Sequence, residues 1–322
     1  MTRAVAFSTL YRYSFARCQI SSSVALTGLT PRAAPTGPDD IAIEFAEGPC
    51  SPIAVTEWRH HWQSGTSAPS LSLARVRNEW LLRVPDLADF IISPDFGSVR
   101  VQPLIALDGS TIAHLLLDQV IPRILGQRSE LMLHASAVQI GEGGVAMFVG
   151  ESGIGKSTWA ATLYRMGHTV LSDDCVLLRS DKISTTALPT YPSLRLLSDA
   201  LDHFSMGAVG AEPMAHYSAK KRVPLPSARW DDAGSRVAAL FLLERNSGDS
   251  SGYIRPVSPR HAFIELARNT FRLDANDARR AADLMPGIAS VAERVPAFAV
   301  RSPRGLSALR EFAEAVVIPR TR

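Results

Sequence analysis

Residues 150–157 read Gly-Glu-Ser-Gly-Ile-Gly-Lys-Ser, which meets the pattern G-x-x-x-x-G-K-[ST] in full. Glycines at this spacing let the backbone curl until successive N–H groups point at one anion, and the free N–H groups of a following helix add to them. The anion of matching shape is the phosphate chain of a nucleotide. Gly150, Glu151, Ser152, Gly153, Ile154 and Gly155 would cradle it, with Thr158 closing the stretch. Lys156 would carry a mobile positive charge to the β- and γ-phosphates, and the Ser157 hydroxyl is placed to ligate Mg²⁺. The context that the pattern needs is also present: an apolar strand over Val145–Val149 before it, and a helix over 156–166 with Gly167 as its terminator after it.

A second chemical feature follows closely. Asp173 and Asp174 interrupt the apolar run Val170 to Leu177. Acids are disfavoured within strands, and a buried carboxylate without a partner is costly. Two of them together point to a compensating cation such as a Mg²⁺-nucleotide. If 169–178 is one strand, alternation sends the two side chains to opposite faces and therefore to different tasks. Asp173 lies 17 residues after Lys156, on the very next strand. One acid of the pair could act through Mg²⁺ while the other accepts a proton from an attacking hydroxyl.

The elements that must hold these residues read as follows. Residues 131–140 form a strand, 141–144 a hairpin turn and 145–149 a second strand. Later come a strand at 237–243 and helices near 259–271, 275–285 and 306–317. Upstream, residues 10–20 alternate as a strand, and Thr30–Asp40 is a loop by composition. Trp80–Val84 and Phe90–Ile92 are strands around a Pro85-Asp86 turn, and Gly97-Ser98 leads into another at 99–104. A helix over 111–124 is kinked or ended by Pro122. The expected organisation is α/β, with a strand-rich α+β domain over 1–127 and a nucleotide-binding domain over 128–322.

Bulk properties narrow the class. A chain of 322 residues with a net charge of +3 gives no compositional case for nucleic acid or an anionic membrane surface. Cys18, Cys50 and Cys175 are too few and wrongly spaced for a disulfide framework or a zinc site, and a reducing cytoplasm is the natural setting. No stretch approaches the roughly 20 apolar residues of a membrane span. The basic N-terminus raises a targeting peptide, but Arg12, Arg17 and Gln19 break up any secretory core.

The run from His134 to Leu178 resembles the catalytic core of HPr kinase/phosphorylase, a bacterial P-loop protein serine kinase. The shared features are a His at a strand end, the loop Gly150 to Ser157, the turn Met166-Gly167-His168 and the segment Ser172-Asp173-Asp174. The resemblance implies a phosphoenolpyruvate-carboxykinase-like fold, with ATP and Mg²⁺ as cofactors. It also implies Asp173 as the base, Asp174 on the metal side and His134 beside them as a catalytic residue with Lys156. The chain departs from that enzyme at Thr158 and Trp159, at Tyr191 to Leu196, and near the C-terminus, where the parts that handle HPr and phosphorolysis would stand. Over most of its length it is more similar to the HPr-kinase-related proteins of lasso-peptide gene clusters. Tyr11 to Ser14, Leu81 to Phe90, Leu133 to Val138, Tyr191 to Leu196 and Lys221-Arg222-Val223 carry that similarity. It implies phosphorylation of a serine hydroxyl of a precursor peptide.

Secondary candidates remain. Arg195 suits a phosphate ligand or a salt bridge equally well, and Lys220-Lys221-Arg222 is the densest basic cluster, either a solvated loop or a second source of phosphate contacts. His60, His61, Trp58 and Trp62 read as fold or surface features, and Phe263, Ile264 and Leu266 as core or interface. The expected activity is an ATP- and Mg²⁺-dependent kinase acting on a Ser or Thr hydroxyl of a peptide or protein. A carboxykinase-like small-molecule kinase and a non-enzymatic nucleotide sensor are the alternatives. Neither nucleic acid nor membrane is an expected partner, homo-oligomerisation is left open, and residues 1–127 are a candidate for substrate recognition.

Overall fold

The computed structural model describes residues 10–31, 40–63, 69–191, 193–207, 210–226, 234–245 and 251–321. Most of the expected Thr30–Asp40 loop, and Pro192, lie outside them. The chain divides into two compact units, Met1–Ala113 with Asp274–Asn276, and His114–Leu273 with Asp277–Arg322. The division falls at 113/114 rather than at 127/128, because residues 114–127 take their place in the second unit. No helix among the described residues is long and apolar enough to cross a membrane.

In the first unit, β1 (Tyr11–Phe15), β2 (Cys18–Ser22), β3 (Ile41–Phe45), β4 (Trp58–Gln63), β5 (Pro69–Val76), β6 (Glu79–Val84), β7 (Ala88–Ile92) and β8 (Ser98–Pro103) form one sheet. Their order is β1-β2-β3-β8-β7-β6-β5-β4. The single strand expected over 10–20 is a hairpin instead. Ala16 and Arg17 take φ of 50° and 65°, the left-handed pair that a tight two-residue hairpin turn requires. The 80–92 hairpin has the expected form, with Asp86 at φ 60° in its turn. Arg83 pairs with Asp89 at 2.5 Å, and His61 Nδ1 lies 2.8 Å from Ser72 Oγ, so this histidine is tied into the sheet.

The second unit begins in a long helical segment: α1 (Gly109–Leu115), a wide π-type stretch Leu116–Val120, and α2 (Ile121–Gln127). Pro122 sits in the first turn of α2, so the helix passes through it rather than ending there. The wide stretch just ahead accommodates the ring and the lost N–H donor. Next come β9 (Leu131–Leu133), β10 (Ala135–Ile140), β11 (Gly144–Val149), α3 (Lys156–Arg165), β12 (Thr169–Ser172), β13 (Val176–Ser180), β14 (Thr185–Leu188) and β15 (Ser193–Leu196). They are followed by α4 (Ser198–His203), β16 (Glu212–Pro213), β17 (Lys221–Pro224), β18 (Ser235–Glu244), β19 (Tyr253–Pro256), α5 (Pro259–Arg268), α6 (Ala278–Arg294), β20 (Ala297–Arg301) and α7 (Leu306–Phe312).

The main sheet runs β12-β10-β11-β18-β14-β13-β9, with β20 beside β18 and β19 beside β20. Its central strands are apolar on both faces because both faces are covered. Ala146, Phe148 and Phe241 share one core with Trp159 of α3 and Leu309 of α7. Val145, Met147 and Val149 share the other with Leu266 of α5 and Leu284 and Ile288 of α6. β15, β17 and β16 form a separate small sheet in which Arg195 faces Arg222.

Trp159 anchors α3, and with it the start of the Gly-rich loop's helix. Its ring is fully buried, stacks on Phe148 at 5.1 Å, and donates from Nε1 to Ser302 Oγ. Trp159→Ala is expected to cost about 3–5 kcal/mol. Thermal unfolding would show this as a fall in Tm on the order of ten degrees, and an unchanged Tm would show that the helix is held elsewhere.

Candidate active site

Two continuous strands expected from the sequence are each broken at a site residue. His134 separates β9 from β10, and its N–H donates to the Asn269 carbonyl at 2.7 Å. Asp173, Asp174 and Cys175 separate β12 from β13, and Asp174 has φ 81°. The acids therefore sit at an irregular junction beside the loop rather than on alternating faces of one strand.

The loop joins β11 to α3. Gly153 and Gly155 take φ of 79° and 109°, conformations that a side chain would strain. Lys156 is buried, and its ammonium donates to the carbonyls of Gly150 and Glu151 at 2.7 and 2.9 Å. Ser157 donates to Asp173 Oδ1 at 3.0 Å, which ties the loop to the acid pair. Glu151 points outward to Arg245 at 2.8 Å, with both side chains well exposed.

Asp173 is 1% exposed and both of its oxygens are engaged. Oδ1 also accepts from Ser136 at 2.5 Å, and Oδ2 accepts from the Arg195 N–H at 3.0 Å. Asp174 lines the cavity in front of the loop, with Oδ1 2.8 Å from His134 Nε2. The His134 ring stacks on Phe271. Asp173 lies behind the loop against Ser157, and Asp174 faces the cavity.

The expected basic residues lie on or beside the small sheet but differ in exposure. Arg195 is 1% exposed and serves as a salt-bridge partner, with Nη2 and Nε donating to Asp118 at 2.5 and 3.0 Å and Nη1 to the Asp173 carbonyl at 2.5 Å. Arg222 is buried on β17, and Lys221 is exposed beside it. Of that run, Lys220 lines the cavity, and so does Arg195, together with Thr158, Leu196, Leu197, Asp199, Ala200 and Leu306. Asp118 and Ser136 were not singled out from the sequence. Asp118 carries a signal of the kind that marked Asp173, an acid inside an apolar helix. Ser136 carries none.

The cations and acids shift one another. Burial pushes the Lys156 ammonium down to about 8, with Asp174 and Asp173 opposing the fall. Burial disfavours the Asp174 carboxylate, but His134, Arg195 and Lys156 outweigh it and hold its pKa well below the ordinary value. Burial also disfavours the Arg195 cation, yet Asp118, Asp174 and Asp173 raise its pKa above that of a free arginine. Among the described residues, no group of three or more His, Cys, Asp and Glu side chains is placed to hold a metal by itself.

No protein-family model matches the chain, and no curated protein matches it. A solved structure of the Hpr(Ser) kinase/phosphatase from Coxiella burnetii is similar over 58% of this chain and 93% of that one, at 14% identity and a TM-score of 0.30. The second unit itself is mixed α/β, with the phosphate-loop pattern at a strand-to-helix junction.

The buried lysine leads to a stability prediction. Between about 8 and the ordinary 10.5, the unfolded chain holds more protons at this site than the folded chain. The unfolding free energy contributed by Lys156 therefore rises with pH across that window. Denaturant unfolding should show native stability gaining on that of Lys156→Met as the pH is raised through it. A constant difference would remove the burial penalty.

Proposed function

We propose that the chain is an ATP- and Mg²⁺-dependent kinase that transfers the γ-phosphoryl group to a Ser or Thr hydroxyl of a peptide or protein. The observation that carries this reading is the Ser157–Asp173 contact at 3.0 Å, with Asp174 and His134 facing the cavity beside it. It joins a phosphate loop, an acid beside the loop hydroxyl, and a second acid open to an acceptor.

The residues suit Mg²⁺. Ser157 Oγ and the Asp173 carboxylate are hard oxygen donors on one spot, and Mg²⁺ is commonly held by one or two carboxylates together with substrate phosphates. Bound with the nucleotide, it would neutralise charge on the phosphate oxygens. Lys156 turns from the loop carbonyls to the β- and γ-phosphates. Asp174 orients the acceptor hydroxyl and takes its proton, and His134 fixes the orientation of the Asp174 carboxylate. This exchanges the roles first expected for the two acids. The similarity to the lasso-peptide kinases, carried by Leu133 to Val138 and Tyr191 to Leu196, makes a ribosomal precursor peptide the preferred acceptor.

Labelled ATP offered with Ser-containing peptides tests the activity, and a small molecule that outcompetes every peptide would redirect it. Asp174→Asn is expected to lower transfer by about 10²–10⁴-fold while sparing nucleotide binding; full turnover would sink the assignment. Lys156→Ala should weaken nucleotide binding, and an unaltered affinity would remove the loop from the reaction.

A further inference from the structure

The Arg195 guanidinium has three carboxylates within reach and is shared unequally among them. Its bidentate face is given to Asp118, at 2.5 and 3.0 Å. It lies 3.9 Å from Asp173 Oδ2 and 3.7 Å from Asp174 Oδ2, within ion-pair range but beyond a hydrogen bond. The Arg195 main-chain N–H, not its guanidinium, donates to Asp173 Oδ2.

Asp118 is itself held from several sides. The Tyr191 hydroxyl donates to Oδ1, and His114 Nδ1 lies 2.6 Å from Oδ2. The Tyr191 ring also packs under the guanidinium, 4.8 Å from its central carbon. Asp118 lies in the wide helical stretch 116–120, fully buried, and reaches the cavity through Arg195, which lines it.

A bidentate arginine–carboxylate pair in a dry site is among the stronger polar contacts a protein makes. A guanidinium released there would close on the other carboxylates already in ion-pair range, Asp173 and Asp174. An arginine capping those acids would compete with any divalent cation for the same oxygens. We propose that Asp118 is a positioning residue that holds the Arg195 guanidinium off Asp173 and Asp174, and so keeps Asp173 open to Mg²⁺ and Asp174 open to the acceptor. This rests on the kinase reading above.

The test measures the affinity for a fluorescent ADP analogue as Mg²⁺ is titrated, in the full chain. Asp118→Asn keeps the side-chain shape and removes the charge. The Mg²⁺ concentration needed for half-maximal binding should rise roughly ten- to a hundredfold, the usual cost of disturbing a group behind a metal ligand, with little change in Mg²⁺-free binding. In an Arg195→Gln background, the same Asp118→Asn change should leave the Mg²⁺ requirement unaltered, because the guanidinium it restrains is gone. That second comparison decides the matter if Asp118→Asn alone does not fold. A native-like Mg²⁺ requirement in Asp118→Asn, or an undiminished effect without Arg195, overturns the proposal. Nucleotide binding by the native chain that ignores Mg²⁺ or survives Lys156→Ala would instead overturn the kinase reading.

Discussion

Two buried carboxylates and a third at the cavity wall share one buried guanidinium, and the second unit is arranged around making that tolerable. Asp118, Asp173 and Asp174 come from a helix and a strand junction distant in sequence, and Arg195 from a small separate sheet. Ionised groups survive burial only when paired and hydrogen-bonded. Here the extra donors are Tyr191, Ser136, Ser157 and the Arg195 main chain. The phosphate loop is attached to this cluster through Ser157, so its position is set by the same balance of charge that sets the acids.

Around the cluster, two apolar cores clamp the main sheet from both sides. Trp159 holds α3 on one face, and α5 and α6 close the other. The loop itself has little apolar weight. It is placed by what lies on either side of it, β11 inside the sheet and α3 packed against Phe148.

Local features were the ones legible in the sequence. The loop, its flanking strand and helix, and the Gly141–Gly144 hairpin depend on contacts a few residues apart, and all are where their composition puts them. The acids could be found but not oriented, because the two-residue alternation holds only while a strand continues, and the chain leaves the strand at Asp173. Asp118 was hidden for a different reason. Its partner lies 77 residues away, and the widened helical turn shifts it off the regular 3.6-residue stripe. Arg195 remained undecided because neither of its roles has a local signature.

The left-handed torsion of Asp174 has its own consequence. Glycine, and after it Asp and Asn, accept that region with the least strain. An alanine there would change the backbone energy as well as the charge, and a β-branched residue would do so more severely. Asparagine alone keeps both the shape and the torsional tolerance. The position therefore favours a few residues for conformational reasons, before chemistry is considered at all. The sharp bend that turns this carboxylate into the cavity is written into the side chain that occupies it.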